Sequence, residues 1–154
     1  MRYYRIAKKT YINDMTGTGA RINGGRWNHK GSSVIYASES RALATTEYLV
    51  HVPMSLLPTR LQLLTIEVAE KTSIETIQIE SLPKNWRSYP APAALADIGQ
   101  DWLDPNRSLI LRVPSVVVAG DFNALINPAH PEFKYVKLHS IVDYELDRRL
   151  LRIP

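Results

Sequence analysis

A few short stretches and single residues carry the residue types that chemistry would need. Gly24-Gly25-Arg26-Trp27-Asn28 joins two glycines, which let the backbone bend sharply, to an arginine whose planar fork suits phosphate or carboxylate. Trp27 can wall a pocket there, and Asn28 can bond a ribose or an amide. The same spacing also fits a surface turn with a solvated arginine. Glu47 follows Leu43 by one helical turn and sits at the margin of an apolar arc. A carboxylate in that position usually snorkels to water. If it looks into a cavity instead, it can stabilise developing positive charge or grip a sugar hydroxyl. Tyr36 ends a short apolar strand and reads as core, or as an aromatic face and hydroxyl at the same cavity. Ser115 follows Pro114 at a break between apolar runs, the usual place of a turn serine. Asn123 and Asn127-Pro128-Ala129-His130-Pro131 read as a stiff polar loop, because Asn-Pro is first a turn signal.

Positioning these groups falls to a pattern of short strands and two helices. Arg2–Ile6 reads as a first strand, and Met15–Lys30, glycine-rich and without periodicity, as a long loop of the kind that tends to carry function. Val34–Ala37 reads as a strand. Ser40–Val52 reads as a helix with Ala42, Leu43, Thr46, Leu49 and Val50 on one arc. Leu61–Val68 and Ile74–Ile79 read as strands, and Pro92–Leu103 as a helix that Gly99 weakens. Ser108–Val113 and Val116–Ala119 read as strands around Pro114, and Phe133–Ile141 as another, with an ambiguous tail after Val142. Prolines such as Pro53, Pro58, Pro83, Pro90, Pro92 and Pro105 mark short connections. Strands and helices in mixed order predict an α+β domain, and the length predicts one domain over 1–154.

Composition narrows the chemistry. The chain has 154 residues, 45% hydrophobic and 22% charged, with no cysteine. It can bury a core, and thiolate zinc sites, disulfides and cysteine nucleophiles are excluded. The histidines His29, His51, His130 and His139 show no ligand spacing, so no metal is expected. Gly17-Thr18-Gly19-Ala20-Arg21-Ile22 lacks the third glycine of a dinucleotide fingerprint, and no serine elbow or P-loop occurs. No apolar run reaches the roughly 20 residues of a membrane span. Met1–Thr10 does not read as a signal peptide, so a cytoplasmic protein is expected. Nineteen basic residues against 15 acidic give +4, but apart from Arg148-Arg149 and Arg152 they are scattered. A solvated basic surface explains them better than a nucleic-acid face.

Taken in order, these pieces resemble the RES-domain family, named for an arginine, a glutamate and a serine. The resemblance runs through Tyr4-Arg5-Ile6, Gly24-Gly25-Arg26-Trp27-Asn28 and Val34-Ile35-Tyr36-Ala37-Ser38, then Ala42-Leu43-Ala44 with Glu47 and His51. It continues at Trp102-Leu103, Arg112-Val113-Pro114-Ser115, Asn127-Pro128 with His130-Pro131, and Asp147 with Arg149-Leu150. It implies a fold similar to ADP-ribosyltransferase toxins, with a split mixed β core and flanking helices. It implies a toxin of a type II toxin–antitoxin pair that cleaves the nicotinamide–ribose bond of NAD+. Phosphorolysis to ADP-ribose-1''-phosphate is the leading expectation, with inorganic phosphate as co-substrate and NAD+ as substrate, not cofactor. Arg26, Glu47 and Ser115 would be catalytic, and Arg5, Tyr36 and Asn127 substrate-binding. The implied partner is a cognate helix-turn-helix, Xre-like antitoxin in an oligomeric complex, which would make any DNA contact itself.

Two other functions compete. A mono-ADP-ribosyltransferase would modify a macromolecule, but the position two before Glu47, often acidic or Gln in such enzymes, is Thr45. A basic nucleic-acid-binding module rests only on the pI near 9.4 and on Trp27, Tyr89 and Trp102.

Overall fold

The computed structural model describes residues 1–52 and 60–151. Pro53, Pro58 and Arg152 lie outside the described residues. Among the described residues seven strands form one mixed sheet: β1 (Arg2–Lys8), β2 (Ile35–Ser38), β3 (Leu61–Val68), β4 (Ile74–Thr76), β5 (Ile110–Pro114), β6 (Phe122–Ile126) and β7 (Val136–Tyr144). Their spatial order is β4-β5-β6-β2-β1-β3-β7. Only β4 and β5 run parallel; the other neighbours are antiparallel. The sheet is close to splitting. β1 pairs with β3 over its whole length, from Arg2↔Glu67 to Lys8↔Leu61, yet meets β2 through the single register pair Tyr4↔Ser38 among the described residues.

Side-chain alternation assigns the two faces. Tyr4, Ile6, Leu61 and Leu63 face the helix α2 (Arg41–His51), whose Ala44 and Tyr48 pack on them. Tyr3, Ile35, Ala37, Leu64, Ile66 and Ile126 build the core of the opposite face. β3 is apolar nearly throughout because both of its faces are covered. A third cluster packs α3 (Ala93–Leu103) with Trp27, Trp86, Leu111 and Leu125. Its centre is Trp102, 1% exposed, whose indole N–H donates to the carbonyl and hydroxyl oxygens of Ser108 at 3.1 and 2.9 Å. Full burial of each large side chain here contributes about 1.5–3 kcal/mol.

The expected helices form with nearly the expected limits. α2 starts where Ser40 accepts the Leu43 amide at 3.0 Å, an N-cap. Several other expectations are corrected. The loop Met15–Lys30 contains the short helix α1 (Thr18–Asn23), which buries no residue and so gave no apolar period. Val116–Ala119 is not a strand. The Ser115 hydroxyl accepts the amides of Val117 and Val118 at 3.1 and 3.0 Å, and these local bonds turn the chain despite its β-branched run. The strand instead resumes at Phe122–Ile126, so Asn123 stands on β6 and not in a polar loop. β4 ends at Thr76, and Ile79–Ser81 is a 3-10 turn. Pro131–Tyr135 is likewise 3-10, its first turn held by His130, and β7 begins only at Val136.

Candidate active site

Glu47 lies on α2 above the adjoining ends of β2, β5 and β6. Its carboxylate oxygen Oε1 accepts two hydrogen bonds, from the Ser115 hydroxyl at 2.8 Å and the Asn123 side-chain amide at 2.6 Å. The directions follow from chemistry, since an ionised carboxylate can only accept. Ser115 must therefore donate, and its lone pairs are taken by the Val117 and Val118 amides. The serine is 1% exposed, and every hydrogen-bonding capacity of its hydroxyl is used inside the protein. It holds Glu47 in place. Among the described residues no donor reaches the other carboxylate oxygen, Oε2, and Glu47 is half-buried, not a solvated surface acid.

Asn123 is the residue that sequence reasoning misplaced, in a polar loop instead of on β6. It pairs with Ser38 across the β2–β6 ladder, and the Ser38 hydroxyl donates to its carbonyl oxygen at 2.7 Å. Two polar side chains directly opposite one another on neighbouring strands are the signal, legible only once the register is known.

The glycine-rich loop forms the next wall. The Arg26 guanidinium is anchored from outside its own loop: Nη1 donates to the carbonyl of Trp86 at 2.8 Å, and both Nη1 and Nη2 donate to that of Ser88 at 3.2 Å. Burial pushes this guanidinium down from its ordinary pKa, and the Glu47 carboxylate pushes back, so the two groups share one electrostatic environment. Tyr36 lies within the same field. Its hydroxyl accepts the Trp27 backbone amide at 3.2 Å and donates to the Asn28 side-chain oxygen Oδ1 at 2.8 Å, while burial raises the phenol above its usual range. Gly25 is required by this contact, because a Cβ there would come within 2.6 Å of the Tyr36 hydroxyl.

The structure reassigns two companions of Arg26. Asn28 is 1% exposed and spends its amide on the carbonyls of Ala20, His29 and Ser32, so it staples the loop and does not offer itself to a ribose. Trp27 is 3% exposed and belongs to the core beside α3, not to a pocket wall.

Arg5 and Asn127 are not drawn into the Glu47 cluster. Arg5 stands just past the single β1–β2 pair, on the opposite face to Tyr4, and its Nη1 donates to the Asp14 carbonyl at 2.9 Å. Asn127 lies four residues along from Asn123, about 13 Å at the rise of a strand. It is 2% exposed and bonded to Asn106 and to the Ala129 amide. A shallow hollow of about 330 Å³, lined by Met15, Thr16, Ser33, Pro128, Ala129 and Phe133, lies beside both neighbourhoods. Another of about 250 Å³ sits at the far ends of β3 and β7, near Lys9, Arg60 and Asp143. Neither touches Glu47. No cluster of three potential metal ligands occurs among the described residues, and no helix among them is long and apolar enough to cross a membrane.

A family model described as the RES domain matches residues 2–147. The chain is 44% identical over 135 residues to a protein named Toxin Res from Yersinia enterocolitica serotype O:8 / biotype 1B, covering 87% of this chain and 88% of the relative. It is 39% identical over 155 residues to a Prs ADP-ribosylating toxin from Sphingobium sp., covering 97% and 96%. In fold it is similar to a chain of the M. tuberculosis MbcT–MbcA toxin–antitoxin complex. There the TM-score is 0.73 at 18% identity, over 97% of this chain and 86% of the other. At that identity the likeness speaks for the fold alone.

Proposed function

The chain belongs to the RES domain family, and on that premise we propose that it is a toxin that consumes NAD+ by breaking the nicotinamide–ribose bond. The observation that carries this reading is the Glu47 carboxylate, anchored through Oε1 by Ser115 and Asn123 with Oε2 left for a ligand, inside the field of Arg26. Nicotinamide leaves as a neutral molecule, taking the electron pair of the C1–N bond, so no acid is needed to protonate it. What the ribosyl carbon needs is negative charge while it passes through an oxocarbenium-like state. Oε2 supplies that charge and can accept a ribose hydroxyl proton in a hydrogen bond. Arg26, fixed by two carbonyls, keeps Nε and its outer edge for an anionic pyrophosphate.

In the phosphorylase form of the proposal an oxygen of inorganic phosphate attacks C1, and the products are nicotinamide and ADP-ribose-1''-phosphate. The name of the Sphingobium relative favours a second reading, transfer of ADP-ribose to a macromolecule. The geometry around Thr45 speaks against it. Two residues before Glu47 on a helix is the opposite side, and Thr45 is buried with its hydroxyl on Tyr144 and on the Arg41 carbonyl, unable to orient an acceptor.

The relatives named Toxin Res and the likeness in fold to a chain of a toxin–antitoxin complex lead us to propose an antitoxin partner as well. We assign it as an Xre-like helix-turn-helix protein that binds the toxin and blocks its action. Incubating the pure chain with NAD+, with and without phosphate, tests the reaction. Nicotinamide release that rises with phosphate supports phosphorolysis, phosphate-indifferent release with free ADP-ribose makes it a hydrolase, and label transferred to lysate protein makes it a transferase. No nicotinamide release under any condition overturns NAD+ as the substrate.

A further inference from the structure

We propose that Asn123 is a positioning residue for Glu47, itself oriented by Ser38, and that this relay fixes the direction in which the free carboxylate oxygen meets the substrate. The assignment of Glu47 to the NAD+ reaction rests on the reading above; the relay rests on its own geometry.

A side-chain amide is two-faced, and its orientation must be fixed by its neighbours. Here both faces are determined. Glu47 can only accept, so the amide nitrogen of Asn123 must face it, at 2.6 Å. The amide oxygen then faces Ser38, whose hydroxyl must donate, at 2.7 Å. Ser38 is 4% exposed, and its position opposite Asn123 is set by the ladder of β2 and β6. The relay therefore stands on sheet, not on loop, and transfers the rigidity of two strands to a side chain carried by a helix. Ser115 reaches the same oxygen from the turn after β5. Two donors on Oε1 fix the carboxylate in its plane and select Oε2 as the oxygen presented outward.

Removing Asn123 leaves Glu47 charged and held through the Ser115 hydroxyl alone, a single bond about which the carboxylate can swing out of its plane. Misplacement of a reacting group by about 1 Å costs roughly a hundredfold in rate. The expected loss for Asn123→Ala is accordingly about ten- to hundredfold in kcat with a smaller effect on KM, since a ribose hydroxyl can follow a displaced carboxylate oxygen whereas stabilising the oxocarbenium charge needs that oxygen in place. Asn123→Asp, which keeps the shape but turns the donor into an acceptor facing a carboxylate, loses at least as much. Ser38→Ala loses less. Because Ser38 acts only through Asn123, the double variant Ser38→Ala/Asn123→Ala turns over no more slowly than Asn123→Ala alone.

These kcat and KM values, read from nicotinamide release with melting curves to confirm folding, test the proposal. A folded Asn123→Asp with wild-type kcat, or losses that multiply in the double variant, overturn it. If wild type is toxic on expression but releases no nicotinamide, the substrate reading fails alone, and growth arrest by the same variants still scores the relay. An activity-independent readout completes the test. In the NMR spectrum of the wild-type chain the Asn123 side-chain amide is expected to be protected from exchange, and to lose that protection in Glu47→Ala. An amide already unprotected in wild type overturns the relay.

Discussion

Replacing Glu47 with Gln separates the charge of this side chain from its shape. The amide oxygen of the replacement can take the place of Oε1 and still accept from Ser115 and Asn123, so the local frame survives. What changes is the strength of those bonds, since a charged acceptor gives way to a neutral one. That difference is about 1 kcal/mol per bond at most, so the fold should lose no more than about 1–2 kcal/mol, a few degrees in Tm for a domain of this size. The loss in reaction rate is larger. A unit charge about 5 Å from the ribosyl carbon, at an effective dielectric of about 20, stabilises a full positive charge by about 3 kcal/mol, or a few hundredfold in rate. Glu47→Gln is therefore expected to fold, to melt slightly lower, and to release nicotinamide at least about a hundredfold more slowly. The assay is initial-rate nicotinamide release at saturating NAD+, alongside a melting curve. A folded variant keeping more than about a tenth of wild-type kcat would refute the reasoning, because the anchored carboxylate would then contribute little charge stabilisation.

Three further outcomes follow from particular contacts. Arg26→Lys cannot reach the carbonyls of Trp86 and Ser88 with one planar fork, so KM for NAD+ should rise by about tenfold or more while the fold persists; an unchanged KM would make Arg26 a purely structural tie. Gly99→Ala sets helix propensity against packing. Propensity alone favours alanine by about 1 kcal/mol, but the added Cβ would lie 1.7 Å from the Trp27 carbonyl oxygen. Packing wins, so Tm should fall by the equivalent of about 1–3 kcal/mol, and a higher Tm would contradict the contact of α3 with the arginine loop. Asp14 titrates below the usual carboxylate range: burial would raise it, but the Thr16 hydroxyl and the amides of Thr16, Gly19 and Thr18 hold it at about 2. Its folded pKa lies below the unfolded one, so its contribution to stability is complete above pH ~4 and is lost as pH falls towards the folded value. Asp14→Asn should flatten that part of the acid limb of a denaturation curve, and an unchanged limb would count against the turn.

Legibility in the sequence followed the range of the forces involved. Helices α2 and α3 were legible within a residue or two, because an apolar arc and a cap are local. β3 was legible to its exact ends. β6 was not: Asn123 interrupts its apolar run, and the strand is fixed by pairing with β2 and β5 on both sides. The opposite error occurred at Val116–Ala119, where β-branched residues suggested a strand and the Ser115 hydroxyl bonded the backbone into a turn. Gly99 looked like a weakness in a helix, and is the point at which that helix touches Trp27.

The sequence by itself determined the family, through ordered motifs spread over nearly the whole chain, and with it the identities of Arg26, Glu47 and Ser115 as the residues to examine. It also determined the absence of thiol chemistry, which needs only the count of cysteines. Tertiary structure alone decided what each residue does. Glu47 and Ser115 are 68 positions apart and share a hydrogen bond, whereas Trp27 and Asn28, adjacent to Arg26, turn inward to hold the loop. The role of Asn123 became visible only through its register with Ser38. The physical reason is that a side chain's role depends on which donors and acceptors surround it, and in a sheet these come from strands distant in sequence.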